Sequence, residues 1–186
     1  MAAKAPKAQR FVAFLRAINV GGHTVKMDRL RGLFESLGLA NVATFIASGN
    51  VLFDAPAKDA RKLEIQIAGH LQEALGYEVA TFLRSAAEVA AAAAYQPFPA
   101  AEQGDHPLWV AFLGAPPSEP AHAKLKGLET PLDSFHLHAR EMYWLYRSER
   151  FSDSKVTGAR LERALGMPMT LRNVTTVRKL AAIVAP

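Results

Sequence analysis

Two short strings put chemically capable side chains next to glycine: Arg16-Ala17-Ile18-Asn19-Val20-Gly21-Gly22 and Ser48-Gly49-Asn50. An arginine, two amides, a hydroxyl and backbone N–H groups freed by glycine are the donors that grip phosphate or carboxylate. Lys26 follows closely enough to add a second positive charge. The set supplies donors and cations but no evident general base. Asp28 and Asp153 are the nearest acids, and both read as ordinary helix-start residues. Each donor also has a structural reading. Gly21-Gly22 can serve a tight turn, Ser48 and Asn50 can close a hairpin, and Asn19 can satisfy loop amides. Arg16 can pair with Asp28 or Glu35.

A second polar string, Ser152-Asp153-Ser154-Lys155-Val156-Thr157, leads into a helix, with Thr157 or Ser154 as its N-cap. Arg172-Asn173 ends a short extended piece and opens the last helix. Ser154, Lys155, Arg172 and Asn173 form a second candidate patch. Other signatures fail. His136 and His138 share a strand face without a third ligand at metal spacing, so no metal site is expected. The glycines form neither a Walker loop nor a dinucleotide fingerprint, and no Gly-x-Ser-x-Gly elbow is present. No cofactor is implied. Tyr143, Trp144, Tyr146 and Phe151 can stack bases on an open sheet, although alternating aromatics on a strand are more often core.

The elements that must position these residues follow from apolar periodicity. Arg10 to Ala17 predicts a strand. Val25 to Leu37 predicts a helix with Met27, Leu30, Leu33, Phe34 and Leu37 on one face, closed by Gly38. Asn41 to Ala47 and Val51 to Asp54 predict a hairpin around Ser48-Gly49-Asn50. A helix from Lys58 to Leu75 ends at Gly76, and Glu78 to Arg84 reads as a strand. The order is βαββαβ, a split-βαβ or ferredoxin-like unit. Ser85 to Glu88 is a capping box opening an alanine-rich helix to about Tyr95.

After a proline-rich linker the order repeats. Leu108 to Leu113 reads as a strand and Pro117 to Gly127 as a helix. Ser134 to His138 and Met142 to Tyr146 are a strand pair. Thr157 to Leu165 is a helix, Met169 to Arg172 an extended piece, and Val174 to Val184 a final helix. The expected organisation is a flexible basic lead at 1–9, a first half at 10–95, a linker at 96–107 and a second half at 108–186. The fold class is therefore α/β (α+β): duplicated ferredoxin-like units with antiparallel sheets and a C-terminal helix. Little residue identity links the halves, so the duplication is inferred from element order. In such a unit the turn after the first strand and the hairpin between the second and third emerge at one sheet end. Arg16, Asn19, Gly21 and Gly22 should therefore meet Ser48, Gly49 and Asn50 beside the positive end of the first helix. By the same reasoning Ser154-Lys155 and Arg172-Asn173 should be neighbours.

Composition limits the function classes. The chain has 186 residues, half of them hydrophobic, and no cysteine. Disulfides and thiolate chemistry are excluded, which fits a reducing compartment. No apolar run approaches the roughly 20 residues that span a bilayer, and no secretory signal is expected at the N-terminus. A cytoplasmic protein with no membrane partner is the expectation. Lys4, Lys7 and Arg10 carry three of the five net positive charges, leaving about +2 for the rest, a weak case for nucleic acid.

Leu15-Arg16-Ala17-Ile18-Asn19-Val20-Gly21-Gly22, Val25-Lys26-Met27 and Ser48-Gly49-Asn50-Val51 resemble a bacterial family of uncharacterised proteins, domain of unknown function sixteen ninety-seven. Phe82-Leu83-Arg84-Ser85, Gln96-Pro97-Phe98, Ser154-Lys155 with Leu161-Glu162, and Arg172-Asn173 continue the match. Gln96 and Val174 depart from the family's usual asparagine and tryptophan. The resemblance implies a duplicated ferredoxin-like architecture and no established activity. The sequence thus favours a binding module for a small phosphate- or carboxylate-bearing ligand. The alternatives are nucleic-acid binding, an enzyme acting on a nucleotide or phosphoester, and assembly through a sheet edge.

Overall fold

The computed structural model describes residues 8–19, 22–47, 49–56, 59–148, 150 and 153–185. In the first sheet β1 (Gln9–Leu15), α1 (Met27–Glu35), β2 (Ala40–Phe45), β3 (Asn50–Ala55), α2 (Ala60–Leu75) and β4 (Thr81–Ser85) follow in order. The strands align as β2-β3-β1-β4, and each pairing is antiparallel. Alternate residues Phe11, Ala13 and Leu15 of β1 join Val51, Phe53, Leu30, Phe34, Ile67 and Leu71 in one core. The intervening Val12 and Phe14 are equally buried. A continuous apolar run such as Phe11 to Leu15 is what a strand covered on both faces needs.

α3 (Ala86–Ala94) and the one-turn α4 (Ala100–Gln103) lead to the second sheet. There β5 (Leu108–Leu113), α5 (Glu119–Lys126), β6 (Asp133–His138), β7 (Glu141–Tyr146), α6 (Gly158–Leu165) and β8 (Met169–Asn173) repeat the pattern, and α7 (Val174–Val184) ends it. The strand order is β6-β7-β5-β8, the same permutation. The chain divides into two compact units, one running to Ala90 and resuming at Leu180, the other spanning Ala91–Lys179. The boundaries fall within α3 and α7, and the stretch from Gln96 to Pro107 belongs to the second unit. Among the described residues no helix is long and apolar enough to cross a membrane.

Paired details make the duplication visible at the level of residues. Glu64 on α2 accepts the Leu83 N–H of β4 at 2.7 Å, and Glu162 on α6 accepts the Met169 N–H of β8 at 3.0 Å. Each acid stands at the same place in its helix, after a leucine and five residues past an N-cap, Asp59 or Thr157. Each helix ends on a left-handed glycine, Gly76 or Gly166. β4 and β8 are the last strands of their sheets, so these carboxylates satisfy amides at a sheet edge. Both strands also carry Leu-Arg followed by a small polar residue. Arg84 and Arg172 are both buried, and each donates to the carbonyl of the preceding leucine, at 3.0 and 2.8 Å. The strings Leu63-Glu64 … Leu83-Arg84-Ser85 and Leu161-Glu162 … Leu171-Arg172-Asn173 therefore supply a residue-level repeat beyond element order.

Arg10 lies in β1, as its place in the predicted strand requires: its guanidinium pairs with Asp54 at 3.1 Å and donates to the Asn41 carbonyl at 2.9 Å. Lys4 and Lys7 lie outside the described residues.

Candidate functional site

The two glycine-bearing strings meet at one end of the first sheet. β1 hands over to its turn where the Leu15 N–H donates to the Gly49 carbonyl at 2.8 Å. Asn19 joins the remaining segments. Its carbonyl oxygen accepts the Val25 N–H at 2.7 Å, and its amide donates to the Ala47 carbonyl at 3.1 Å. One side chain thus holds the turn, the approach to α1 and the hairpin in a fixed relation. Ile18 and Val25 anchor the same loop in the core. Tyr77 reaches in from beyond α2, donating to the Ile18 carbonyl at 3.1 Å, while the His23 ring stacks on it at 3.8 Å between centroids.

Arg16 and Lys26 are both exposed here. Lys26 is the N-cap residue of α1, and its side chain makes no capping hydrogen bond. Asp28 and Glu35 are both engaged by Arg31, at 2.8 and 3.9 Å. Gly22 has φ +87° with open space where a Cβ would stand, so its backbone approach is clear. Asn50 is a correction: it is completely buried, and its amide donates to the Phe45 carbonyl at 3.0 Å. It shapes the hairpin. Gly21 and Ser48 lie outside the described residues. His23 and Tyr77 were not singled out from sequence, because a lone histidine after two glycines and a tyrosine after a helix cap carry no periodic signal.

The second polar patch does not assemble. Ser154 donates to both Asp133 carboxylate oxygens, at 2.9 and 3.0 Å, which fixes it beside the outer strand β6. Arg172 and Asn173 are on β8, the opposite outer strand. The strands end at one side of the sheet, as expected, but β7 and β5 lie between the strings. Arg172 is also buried, donating to Thr170 and Leu171, and burial pulls its pKa down to about 10. Lys155 offers its carbonyl to Arg160. Asn173 caps α7 through the Thr175 N–H. Asp153 is bonded by Ser148. Tyr143, Trp144 and Tyr146 are core residues, and Phe151 lies outside the described residues.

The strand histidines have a structural role. His136 Nε2 is 2.8 Å from the Tyr95 hydroxyl, and His138 stacks on the same ring at 4.0 Å. Among the described residues no three His, Asp or Glu side chains gather as metal ligands. Burial, with smaller contributions from His138 and His122, lowers the His136 pKa below its usual 6.5. The unfolded chain then takes up a proton at higher pH than the folded one. The stability from neutral His136 is complete above pH 6.5 and is lost as pH falls through the lowered folded value. Thermal melts between about pH 7 and pH 5 should therefore show a smaller acid-induced loss for His136→Gln than for the natural chain. Equal losses would show that His136 does not contribute to it.

The fold and this site define a duplicated ferredoxin-like α/β protein. The chain belongs to the family of proteins of unknown function designated DUF1697, which it matches over residues 8–143. Ser154, Lys155, Arg172 and Asn173 fall beyond the matched stretch. In structure the chain is similar to conserved bacterial protein SP0830 from Streptococcus pneumoniae, with a TM-score of 0.71 and 23% identity. That likeness covers 96% of this chain and 99% of the other. No curated protein matches the chain.

Proposed function

We propose that the turn end of the first sheet binds a small ligand bearing a phosphate or carboxylate group. The observation that carries this reading is the loop stitched by Asn19. It spends its amide on holding the loop, while the side chains of Arg16, just past β1, and Lys26, the N-cap of α1, are exposed. A preordered loop lowers the ordering cost of binding, and exposed cations near a helix N-terminus favour an anion.

The test is a thermal-shift panel of inorganic phosphate, phosphorylated sugars, nucleotides and dicarboxylates. At least one should raise the melting temperature. Arg16→Gln with Lys26→Gln should then weaken binding by about 10–100-fold, since a hydrogen bond to a charged group contributes about 1.5–3 kcal/mol. Because both side chains are exposed, the ligand-free stability should move by no more than about 0.5 kcal/mol per substitution. A panel without effect, or a double variant that binds as well as the natural chain, would overturn the reading. Nucleic-acid binding is less well supported, because Tyr143, Trp144 and Tyr146 are buried and unavailable for stacking.

A further inference from the structure

A cavity of about 180 Å³ opens in the second unit where the chain leaves α3 and turns through α4 toward β5. Two aromatic rings stand in its wall. Tyr95 is held on three sides: its hydroxyl is 2.8 Å from His136 Nε2, its ring stacks on His138 at 4.0 Å, and Tyr143 lies tilted at 5.1 Å. Phe98 meets the His136 ring edge-on at 6.3 Å. The apolar part of the cavity is therefore preordered by strand histidines.

The polar part is uncommitted. Gln96, Gln103 and Arg178 line the same space, and Arg178 is the one charged residue among the lining residues. Among the described residues no hydrogen bond or ion pair engages these three side chains. A guanidinium fork matches a carboxylate with two parallel hydrogen bonds, and two carboxamides can meet further oxygens. Aromatic walls favour a planar ring in offset or edge contact. The volume lies below the roughly 300 Å³ at which drug-sized pockets begin, which limits the ligand to a single ring. A bare phosphate or sulfate would leave the aromatic walls unused.

We propose that this cavity is a binding site for a small aromatic carboxylate, separate from the anion receptor proposed for the first unit. The ring lies against Tyr95 and Phe98, and the carboxylate pairs with Arg178.

The test is an NMR titration of the full chain with benzoate, benzamide and acetate. Benzoate should shift the Tyr95 and Phe98 ring signals. It should bind Arg178→Gln at least tenfold more weakly, and benzamide and acetate should each bind the natural chain at least tenfold more weakly than benzoate. Arg178 is exposed, so the variant should keep its fold, which its spectrum reports directly. The proposal fails if benzoate leaves both rings unmoved, if Arg178→Gln binds it equally well, or if acetate matches it.

Discussion

Replacing Asp133 with alanine should lower the melting temperature of the second unit by about 10–20 °C, the effect of losing about 3 kcal/mol in a domain of this size. Asp133 is completely buried at the start of β6. Its carboxylate accepts the Trp144 indole N–H at 2.9 Å, the Thr130 hydroxyl at 2.7 Å and the Ser154 hydroxyl at 2.9 Å. Three elements therefore converge on one acceptor: the turn before β6, the neighbouring strand β7 and the segment entering α6. Alanine removes the acceptor and strands the buried Trp144 indole N–H, while the half-buried Ser154 and exposed Thr130 hydroxyls lose their partner. The unmade hydrogen bonds then cost more than the made ones contribute. Asp133→Asn keeps the volume but turns an amide N–H₂ toward groups that themselves donate, so it should recover only part of the loss. Adding Trp144→Phe to the alanine variant removes a stranded donor, and the pair should destabilise by less than the sum of the single changes. Urea or thermal unfolding of the natural chain, both Asp133 variants, Trp144→Phe and the pair measures this. A loss below about 1 kcal/mol for Asp133→Ala would show that the network is not needed to hold the unit together.

Gly49→Ala should destabilise the first unit by about 2–5 kcal/mol, through two separable costs. With φ at +78°, any Cβ at this position crowds the backbone, at about 1–2 kcal/mol. That Cβ would also stand 2.7 Å from Ile18 Cγ2 and 3.1 Å from Leu15 Cβ, both buried side chains, which adds roughly 1–3 kcal/mol of overpacking. Gly22→Ala is the matched control. Its φ of +87° imposes the first cost, but nothing lies within 4 Å to impose the second. Gly49→Ala should therefore be the more damaging of the two, and it should also disturb the loop held by Asn19 by pushing the hairpin away from Ile18. Equal destabilisation of the two variants would remove the argument that close approach, and not backbone angle alone, demands glycine in the hairpin.

Nearly all of the element order was legible in the sequence. β5 and α7 match the periodicity reading to the residue, and the Ser85–Glu88 capping box forms as expected, with the Ser85 N–H and hydroxyl both donating to Glu88. Helix periodicity, left-handed glycines and N-caps are local properties, so one stretch of chain is enough to specify them. Topology then brought Asn19 to the hairpin, because a βαββαβ order in one antiparallel sheet leaves few choices for where its turns emerge.

The misreadings share a physical cause. Asn50 and Arg172 are polar side chains at strand ends, where sequence gives no means of telling solvent from interior. Burial depends on what packs over them. Ser154 and Arg172 were expected as neighbours from the direction of their strands, but strand order within the sheet, β6-β7-β5-β8, sets them apart. The predicted strand began at Ser134, one residue after Asp133, and periodicity singled out neither Asp133 nor Glu64. Both turn out to be buried acceptors for donors distant in sequence.

By itself the sequence determined the helices and strands, the doubled split-βαβ order and the end of the first sheet where Arg16, Asn19 and the glycines collect. Only the tertiary structure decided which polar groups are spent on the fold and which stay open. Asn19, Asn50, Asp133 and Arg172 are consumed by partners within the chain, whereas Lys26 and Arg178 keep exposed cationic heads. The reason is that hydrogen-bond satisfaction is a property of three-dimensional neighbours. A residue's type fixes what it can donate or accept, and packing alone fixes whether anything remains for a ligand.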